Sequence, residues 1–172
     1  EQIRVALDQN VRIFITSAGS PKKYTAFLKK EGAKVMHVCS SPLLAKKCED
    51  AGVDAVVAEG FEAGGHNGRD ETTTMVLIPE VVEAVSIPVI AAGGIGSGAQ
   101  MAAAIALGAA GVQIGTRYAA TQESSAHENF KQAMITAASG DTRLMMKDLV
   151  PVRLLKNQFF DEVAAAEKRC AS

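Results

Sequence analysis

The sequence predicts an α/β fold built on a parallel sheet, and three observations point to it. Short apolar runs rich in β-branched residues alternate with longer segments of helical character. Apolar runs without polar alternation are typical of strands that are buried on both faces of a parallel sheet. Glycine follows three of the helical segments, at Gly32, Gly52 and Gly108, and an apolar run begins soon after each one. These features describe a repeated βα unit.

Five runs are predicted to be strands because each is short, apolar and bounded by turn residues. They are residues 11–16, 34–39, 55–58, 88–91 and 111–114. Helices are predicted over residues 21–31, 41–50, 74–86 and 98–107, and later near 127–138 and 152–166. Ser20-Pro21 and Ser41-Pro42 each place serine at an N-cap and proline at the first helical position. No linker rich in Pro, Gly or Ser divides the chain, so residues 1–172 are predicted to form one domain.

The composition is that of an ordinary globular protein and excludes several classes of partner. Basic and acidic residues number 18 and 19 and are spread along the chain, with no basic cluster for nucleic acid. No apolar run approaches the ~18 residues that span a bilayer. The three cysteines have no CxxC or metal-ligand spacing, which favours a reducing compartment. The sequence therefore predicts a cytoplasmic protein without a nucleic-acid partner, a membrane partner or a metal.

Two glycine-rich junctions follow neighbouring predicted strands. The first covers residues 91–98 (AAGGIGSG) and the second covers residues 115–117 (GTR). Glycine lets main-chain N–H groups approach an anion closely, and at the start of a helix these groups point toward it. Two such loops on adjacent strands can hold one phosphate between them. The alternative is that the glycines only make tight turns.

The late position of these loops in the sequence distinguishes a closed barrel from an open parallel sheet. In a TIM (β/α)8 barrel, the loops after strands 7 and 8 build the phosphate site. An open dinucleotide-binding sheet has GxGxxG after its first strand, and residues 94–98 (GIGSG) do not have that spacing. A full barrel needs about 250 residues. We therefore predict a TIM barrel of which this chain covers strands 4–8 and the helices that follow, with strands 1–3 outside it.

A second cluster of candidate residues follows the predicted strand 55–58. Residues 59–68 read EGFEAGGHNG, and they lie at the barrel face where catalytic groups are found. The glycines around His66 predict an exposed and flexible turn. A histidine side chain can donate or accept a proton near neutral pH. We therefore predict a proton-transfer role for His66, and structural roles for His37 and His127.

These motifs resemble a known family. Residues 59–66 (EGFEAGGH), 88–95 (PVIAAGGI) and 112–117 (VQIGTR), in that order, are similar to the nitronate monooxygenase (2-nitropropane dioxygenase) family, which includes the FMN-dependent enoyl-ACP reductase II. The similarity runs from about residue 11 to residue 157. It implies a TIM barrel that binds FMN, with His66 as catalytic acid or base. The FMN phosphate and ring would lie against a set of small residues: Gly93, Gly94, Gly115 and Thr116 for the phosphate, and Gly64 and Gly65 for the isoalloxazine.

The resemblance leaves two reactions open. Residues 123–131 and Asp141-Thr142 resemble the enoyl reductase branch. That branch implies NAD(P)H as co-substrate and an acyl thioester, carried on acyl carrier protein, as substrate. The alternative is a nitronate monooxygenase that oxidises nitronates or nitroalkanes with O2, and residues 151–157 resemble both branches. A homodimer is the expected assembly.

Two further interpretations come from outside these branches. IMP dehydrogenase barrels have similar phosphate loops, but they need a nucleophilic cysteine in an active-site loop, and residues 64–74 contain none. Five strands cannot close an eight-stranded barrel. A non-catalytic barrel fragment is therefore the alternative from a different class.

Overall fold

Strands and helices alternate along the part of the chain that the computed structural model describes, residues 1–170. The strands are β1 (Ile13–Thr16), β2 (Lys34–Cys39), β3 (Ala55–Glu59), β4 (Gly65–His66), β5 (Val89–Ala92), β6 (Gly111–Gln113), β7 (Thr142–Met145) and β8 (Val152–Leu155). The helices are α1 (Gln2–Asp8), α2 (Thr25–Lys30), α3 (Pro42–Asp50), α4 (Thr74–Ala84), α5 (Gly98–Ala106), α6 (Thr116–Ala119), α7 (Glu128–Thr136) and α8 (Gln158–Cys170), and a 3₁₀ turn at Pro21–Lys23 precedes α2.

The main sheet contains five strands in the order β1–β2–β3–β5–β6, and every neighbouring pair is parallel. All five predicted strands are thereby confirmed, and their bounds differ from the prediction by at most two residues. The carboxyl ends of these strands lie at one edge of the sheet. The loops that follow them are consequently brought together at that edge.

The two faces of this sheet have different surroundings. Side chains alternate between faces along each strand, and residues in parallel register share a face. On one face Val56 pairs with Val89 and Ala58 with Ala91, all four buried in a core with residues of α2, α3 and α4. The other face carries Ile13 and Ile15, whose exposed fractions are 62% and 54%. In a barrel this second face is the interior. These residues thus form part of a barrel wall.

Glycine ends three helices in the predicted way. Gly32, Gly52 and Gly108 have φ of +75°, +81° and +98°, a conformation that residues with a Cβ rarely adopt. The predicted N-cap at Ser41 is also formed, since its hydroxyl accepts a main-chain N–H at 3.3 Å. At Ser20 no such bond is made, and the chain instead forms the 3₁₀ turn before α2.

The prediction is wrong for part of the C-terminal region. One helix is predicted over residues 152–166, but they contain β8, and α8 begins only at Gln158. Strand β7, in a region predicted to be a loop, pairs antiparallel with β8, and β8 pairs with β4 to make a second, three-stranded sheet. These strands have four residues or fewer, and β7 and β8 contain Leu and Arg, which favour helix. The β4–β8 pairing joins segments that lie far apart in the sequence, so no local pattern predicts it.

The described residues also bear on membranes, metals and cysteine chemistry. Between residues 1 and 170, no helix has the length and hydropathy needed to cross a bilayer. In the same part of the chain, no cluster of three or more His, Cys, Asp or Glu side chains is arranged to hold a metal ion. Burial raises the pKa of Cys48 to about 11, and burial together with the charge of Cys48 raises the pKa of Cys39 to about 12. Both are packed thiols that stay protonated at neutral pH.

Candidate active site

Two cavities open at the carboxyl edge of the parallel sheet, and they meet at Glu59. One has a volume of about 520 Å³ and is lined by both glycine-rich loops; we call it the glycine cleft. The other has a volume of about 890 Å³ and is lined by the loops after β1 and β2 and by His66; we call it the histidine cavity. Glu59, the last residue of β3, lines both.

The glycine cleft brings together residues that are far apart in the sequence. Five of the seven residues singled out by the sequence line it: Gly64, Gly93, Gly94, Gly115 and Thr116. Among the described residues, the main-chain N–H groups of Gly94, Gly115 and Thr116 donate no hydrogen bond within the chain. The cleft therefore presents main-chain donors from two adjacent βα loops to one space, which is the chemistry that an anion requires.

Glycine is required in the first of these loops for two separate reasons. Gly93 has φ of +104°, and a Cβ there would lie 2.8 Å from both the carbonyl oxygen of Gly60 and the hydroxyl of Thr74. Gly94 has φ of +67°, and its Cβ would lie 3.2 Å from the Cβ of Glu62. The loop is thus held in a left-handed conformation and pressed against the segment that leads to His66.

Glu62 connects this loop to helix α4. Its two carboxylate oxygens accept the N–H of Thr74 at 3.2 and 3.0 Å, and one of them accepts the Thr74 hydroxyl at 2.9 Å. Thr74 is the first residue of α4, and the N-cap residue before it, Thr73, makes no side-chain cap bond. Glu62 therefore caps α4 from a separate loop. The sequence motif contained this glutamate, but nothing in the local pattern assigned it that partner.

His66 is exposed at the rim of the histidine cavity, as predicted, but it does not lie on a free turn. It belongs to β4 and pairs with Val152 of β8. The next residue, Asn67, donates its N–H to the carbonyl of Pro151 at 2.9 Å and its side-chain amide to Ala63 and Gly65 at 2.9 and 3.0 Å. The expectation of a turn is therefore wrong, because the main chain at His66 pairs with β8 in the second sheet.

Gly65 is the one predicted glycine of this segment that lines neither cavity. It has φ of +86° and pairs with Arg153 in β8. The Arg153 guanidinium donates to the carbonyl of Phe61 at 2.9 Å and lies 5.0 Å from the centre of the Phe61 ring. Arg153 thus holds the segment before His66 through contacts separate from those of Glu62, and sequence reasoning missed this role.

The other two histidines make structural contacts. His37 is buried in β2, and its Nδ1 lies 2.7 Å from the Thr16 hydroxyl. Burial lowers the pKa of His37, because a charged imidazole would lose its hydration. His127 is the N-cap of α7, where its Nδ1 accepts the N–H of Asn129 at 3.1 Å.

Glu59 carries a perturbed carboxyl group between the two cavities. Burial raises its pKa above the ordinary value of 4.5, because the carboxylate loses solvation there. The folded protein therefore holds this proton more tightly than the unfolded chain. The resulting cost to folding is absent below pH 4.5, grows as the pH rises and is complete above the raised pKa.

We expect Glu59→Gln to raise the melting temperature at neutral pH, since glutamine occupies the same space without the charge. Below pH 4.5 the variant and the wild type should melt together. Glu80→Gln, on the exposed face of α4, is the matched control and should leave the melting temperature unchanged. Thermal unfolding followed by circular dichroism across pH measures the effect. A melting temperature for Glu59→Gln at or below that of the wild type at neutral pH would contradict it.

Comparisons with known proteins show what this chain is similar to in sequence and in fold. The sequence matches the nitronate monooxygenase family model over residues 1–172. A Rhodococcus jostii protein, (3aS,4S,5R,7aS)-5-hydroxy-7a-methyl-1-oxo-octahydro-1H-indene-4-carboxyl-CoA dehydrogenase, is 37% identical over 94% of this chain and 46% of its own length. The structure of FabK, an enoyl-ACP reductase II, from Thermotoga maritima is 44% identical with a TM-score of 0.90, over 96% of this chain and 53% of that one. Nitroalkane oxidase from Streptomyces ansochromogenes is 36% identical with a TM-score of 0.81, over 94% and 50%.

The chain spans about half the length of these proteins. FabK and nitroalkane oxidase are TIM barrels, so a match to half of each confirms the predicted partial barrel. The family model covers the whole chain, and the relatives share its sequence well above the level at which only a fold is indicated. This chain belongs to the nitronate monooxygenase family.

Proposed function

We propose that the protein containing this chain is an FMN-dependent oxidoreductase, and specifically an enoyl-ACP reductase II that uses NAD(P)H. The observation that carries the proposal is the glycine cleft, where two βα loops offer unused main-chain donors to one space beside the cavity of His66. The higher identity and TM-score to FabK than to nitroalkane oxidase favour the reductase. The Rhodococcus relative, named for a CoA thioester, supports a thioester substrate.

The residues of the cleft fit an FMN phosphate. Gly93 and Gly94 on one side, and Gly115 and Thr116 on the other, would bind its oxygens through main-chain N–H groups. Arg117 lines the same cleft and adds a positive charge. Gly64, which lines the cleft, would let the main chain approach the ring without a side chain between them. FMN, when bound, supplies the transfer of electrons, and the protein supplies orientation and electrostatics.

His66 is proposed to move a proton at an imidazole nitrogen. In the reductase it would deliver the proton to the α-carbon of the acyl thioester; in a monooxygenase it would remove one from a neutral nitroalkane. Its position suits either role, because the side chain is exposed at the cavity rim while β8 fixes its main chain. We further propose that the protein acts in the cytoplasm, as a homodimer, on a substrate carried by acyl carrier protein.

The second candidate function is a nitronate monooxygenase that oxidises nitronates or nitroalkanes with O2. The family model and the nitroalkane oxidase structure favour it. Both candidates use the same cleft and the same histidine, and they differ in the substrate that reacts with the flavin.

The test is an absorbance spectrum of the purified protein, followed by NAD(P)H oxidation with crotonyl-CoA and oxygen consumption with propyl-nitronate. We expect a flavin spectrum, rapid NAD(P)H oxidation with crotonyl-CoA and slow oxygen consumption. Rapid oxygen consumption with propyl-nitronate, and none of the enoyl reaction, would replace the first candidate by the second. A protein that binds no FMN would overturn both and favour the non-catalytic fragment.

A further inference from the structure

One hydrogen-bond network joins the loop proposed to bind the phosphate to the segment that carries the proposed proton-transfer residue. Glu62 lies in the segment that leads to His66, and Gly93 lies in the loop proposed for the phosphate. Thr74 stands between them and shares its one hydroxyl proton between two acceptors, a carboxylate oxygen of Glu62 and the carbonyl oxygen of Gly93, each 2.9 Å from the hydroxyl oxygen. The same hydroxyl lies 3.4 Å from the carbonyl of Ala92, at the end of β5. A single side chain therefore contacts both loops.

The packing around Thr74 leaves no room for the loops to move independently. Thr74 is 8% exposed. A Cβ on Gly60 would collide with Thr74, and a Cβ on Gly93 would lie 2.8 Å from its hydroxyl. The N–H of Gly60 also donates to the carbonyl of Ala92 at 2.9 Å. Any shift of the Thr74 hydroxyl must therefore displace one or both loops.

The network also explains how a carboxylate can line a cleft proposed to hold a phosphate. Two like charges in one cleft repel unless one of them is engaged elsewhere. Glu62 accepts the N–H and the hydroxyl of Thr74 at the start of α4, an eleven-residue helix whose amino end carries a partial positive charge. The negative charge of Glu62 is therefore stabilised by the amino end of α4.

We propose that Glu62 is a positioning residue that, through Thr74, fixes the Gly93-Gly94 loop relative to the segment carrying His66. Phosphate binding and the placement of His66 then depend on one network, so a change in either loop is transmitted to the other. The inference rests on the proposed FMN site. It assigns no chemical step to Glu62 or Thr74.

The test is a double-mutant cycle on the intact apoprotein, with FMN and riboflavin as probes and fluorescence quenching as the readout. Riboflavin lacks the phosphate and therefore reports on the ring site alone. The variants are Glu62→Ala, Thr74→Val and the double variant. Thr74→Ser, which keeps the hydroxyl, is the rescue control. Thr136→Val is the matched control, since the Thr136 hydroxyl bonds only within α7.

Each single variant should weaken FMN binding about tenfold, because each removes a hydrogen bond to the charged carboxylate of Glu62, and such bonds contribute about this much. The double variant should be no weaker than the worse single variant, because both remove the same link. Thr74→Val should weaken riboflavin binding less than FMN binding, since only FMN places a phosphate at the Gly93-Gly94 loop, and it should speed amide hydrogen exchange in residues 61–66. Thr74→Ser and Thr136→Val should match the wild type in every measurement.

Two results would overturn the inference while leaving the proposed function intact. One is an FMN affinity in the double variant that falls by the product of the two single effects. The other is an equal loss of affinity for FMN and for riboflavin in Thr74→Val. A wild-type protein that binds neither flavin would overturn the proposed function and this inference with it. If Glu62→Ala does not fold, Glu62→Met takes its place in the cycle, because methionine fills a similar volume and has no oxygen to accept the N–H or the hydroxyl of Thr74.

Discussion

His66→Ala is expected to slow turnover by ~10²–10⁴-fold, the contribution of a general acid or base, while the fold and the bound flavin are kept. The fold should survive because His66 is exposed and its contacts with β8 are made by the main chain. Flavin should be retained because the loops proposed to bind its phosphate line the glycine cleft, which His66 does not line. His127→Ala, which changes another solvent-exposed histidine, is the matched control and should keep full activity.

The substrate dependence of the His66→Ala defect distinguishes the two candidate functions. In a reductase, NAD(P)H should still bleach the flavin absorbance at close to the wild-type rate, and only the reaction with crotonyl-CoA should be slow. In a monooxygenase, a neutral nitroalkane should react slowly and a preformed nitronate should react normally, since the nitronate has already lost its proton. Stopped-flow absorbance measures each half-reaction. Full activity of His66→Ala with every substrate would return this residue to a structural role.

Gly94→Asp is expected to weaken FMN binding by about 10²–10⁴-fold, and mainly through charge. A carboxylate some 5 Å from a phosphate costs about 3 kcal/mol per pair of unit charges at an effective dielectric constant of about 20, and the phosphate carries ~−2. Glu62 already lines the cleft, so the new charge would also face a second carboxylate. Equilibrium titration of the apoprotein with FMN measures the loss.

Gly94→Asn is the matched variant, since asparagine has nearly the same shape without the charge and tolerates the φ of +67° at this position. It should weaken FMN binding much less than Gly94→Asp. Gly140→Asp controls for aspartate at a left-handed glycine, because Gly140 has φ of +88° and a Cβ added there would meet nothing within 4 Å. Equal losses for Gly94→Asp and Gly94→Asn would show that charge is not the cause and would count against a phosphate at this loop.

The parallel strands and the glycine cleft could be predicted from sequence because their signals are local. Each strand is an apolar run between turn residues, and each glycine loop directly follows a strand. Parallel strands end at one edge of their sheet, so the order of Gly93-Gly94 and Gly115-Thr116 along the chain was enough to place both loops at one cleft. Their role in holding a flavin stays a prediction.

The contacts that fix His66 could not be predicted, because each joins residues that are distant in the sequence. Strand β4 has only two residues, and it is a strand because β8 supplies its partners. Arg153 reaches the carbonyl of Phe61, and Glu62 reaches the first turn of α4. The glycines around His66 correctly indicated its exposure and wrongly indicated a turn, because Gly65 and His66 form a strand. Composition cannot distinguish a turn held by a second sheet from a free one.

The two glycine loops are proposed to bind one FMN phosphate, and a crystal structure of the intact protein purified with its flavin tests this most directly. We expect phosphate oxygens at about 2.7–3.2 Å from the main-chain nitrogens of Gly94 and Thr116, with the flavin ring extending past Gly64 toward the histidine cavity. A phosphate bound away from both loops, or a ring on the far side of the cleft from His66, would contradict the claim.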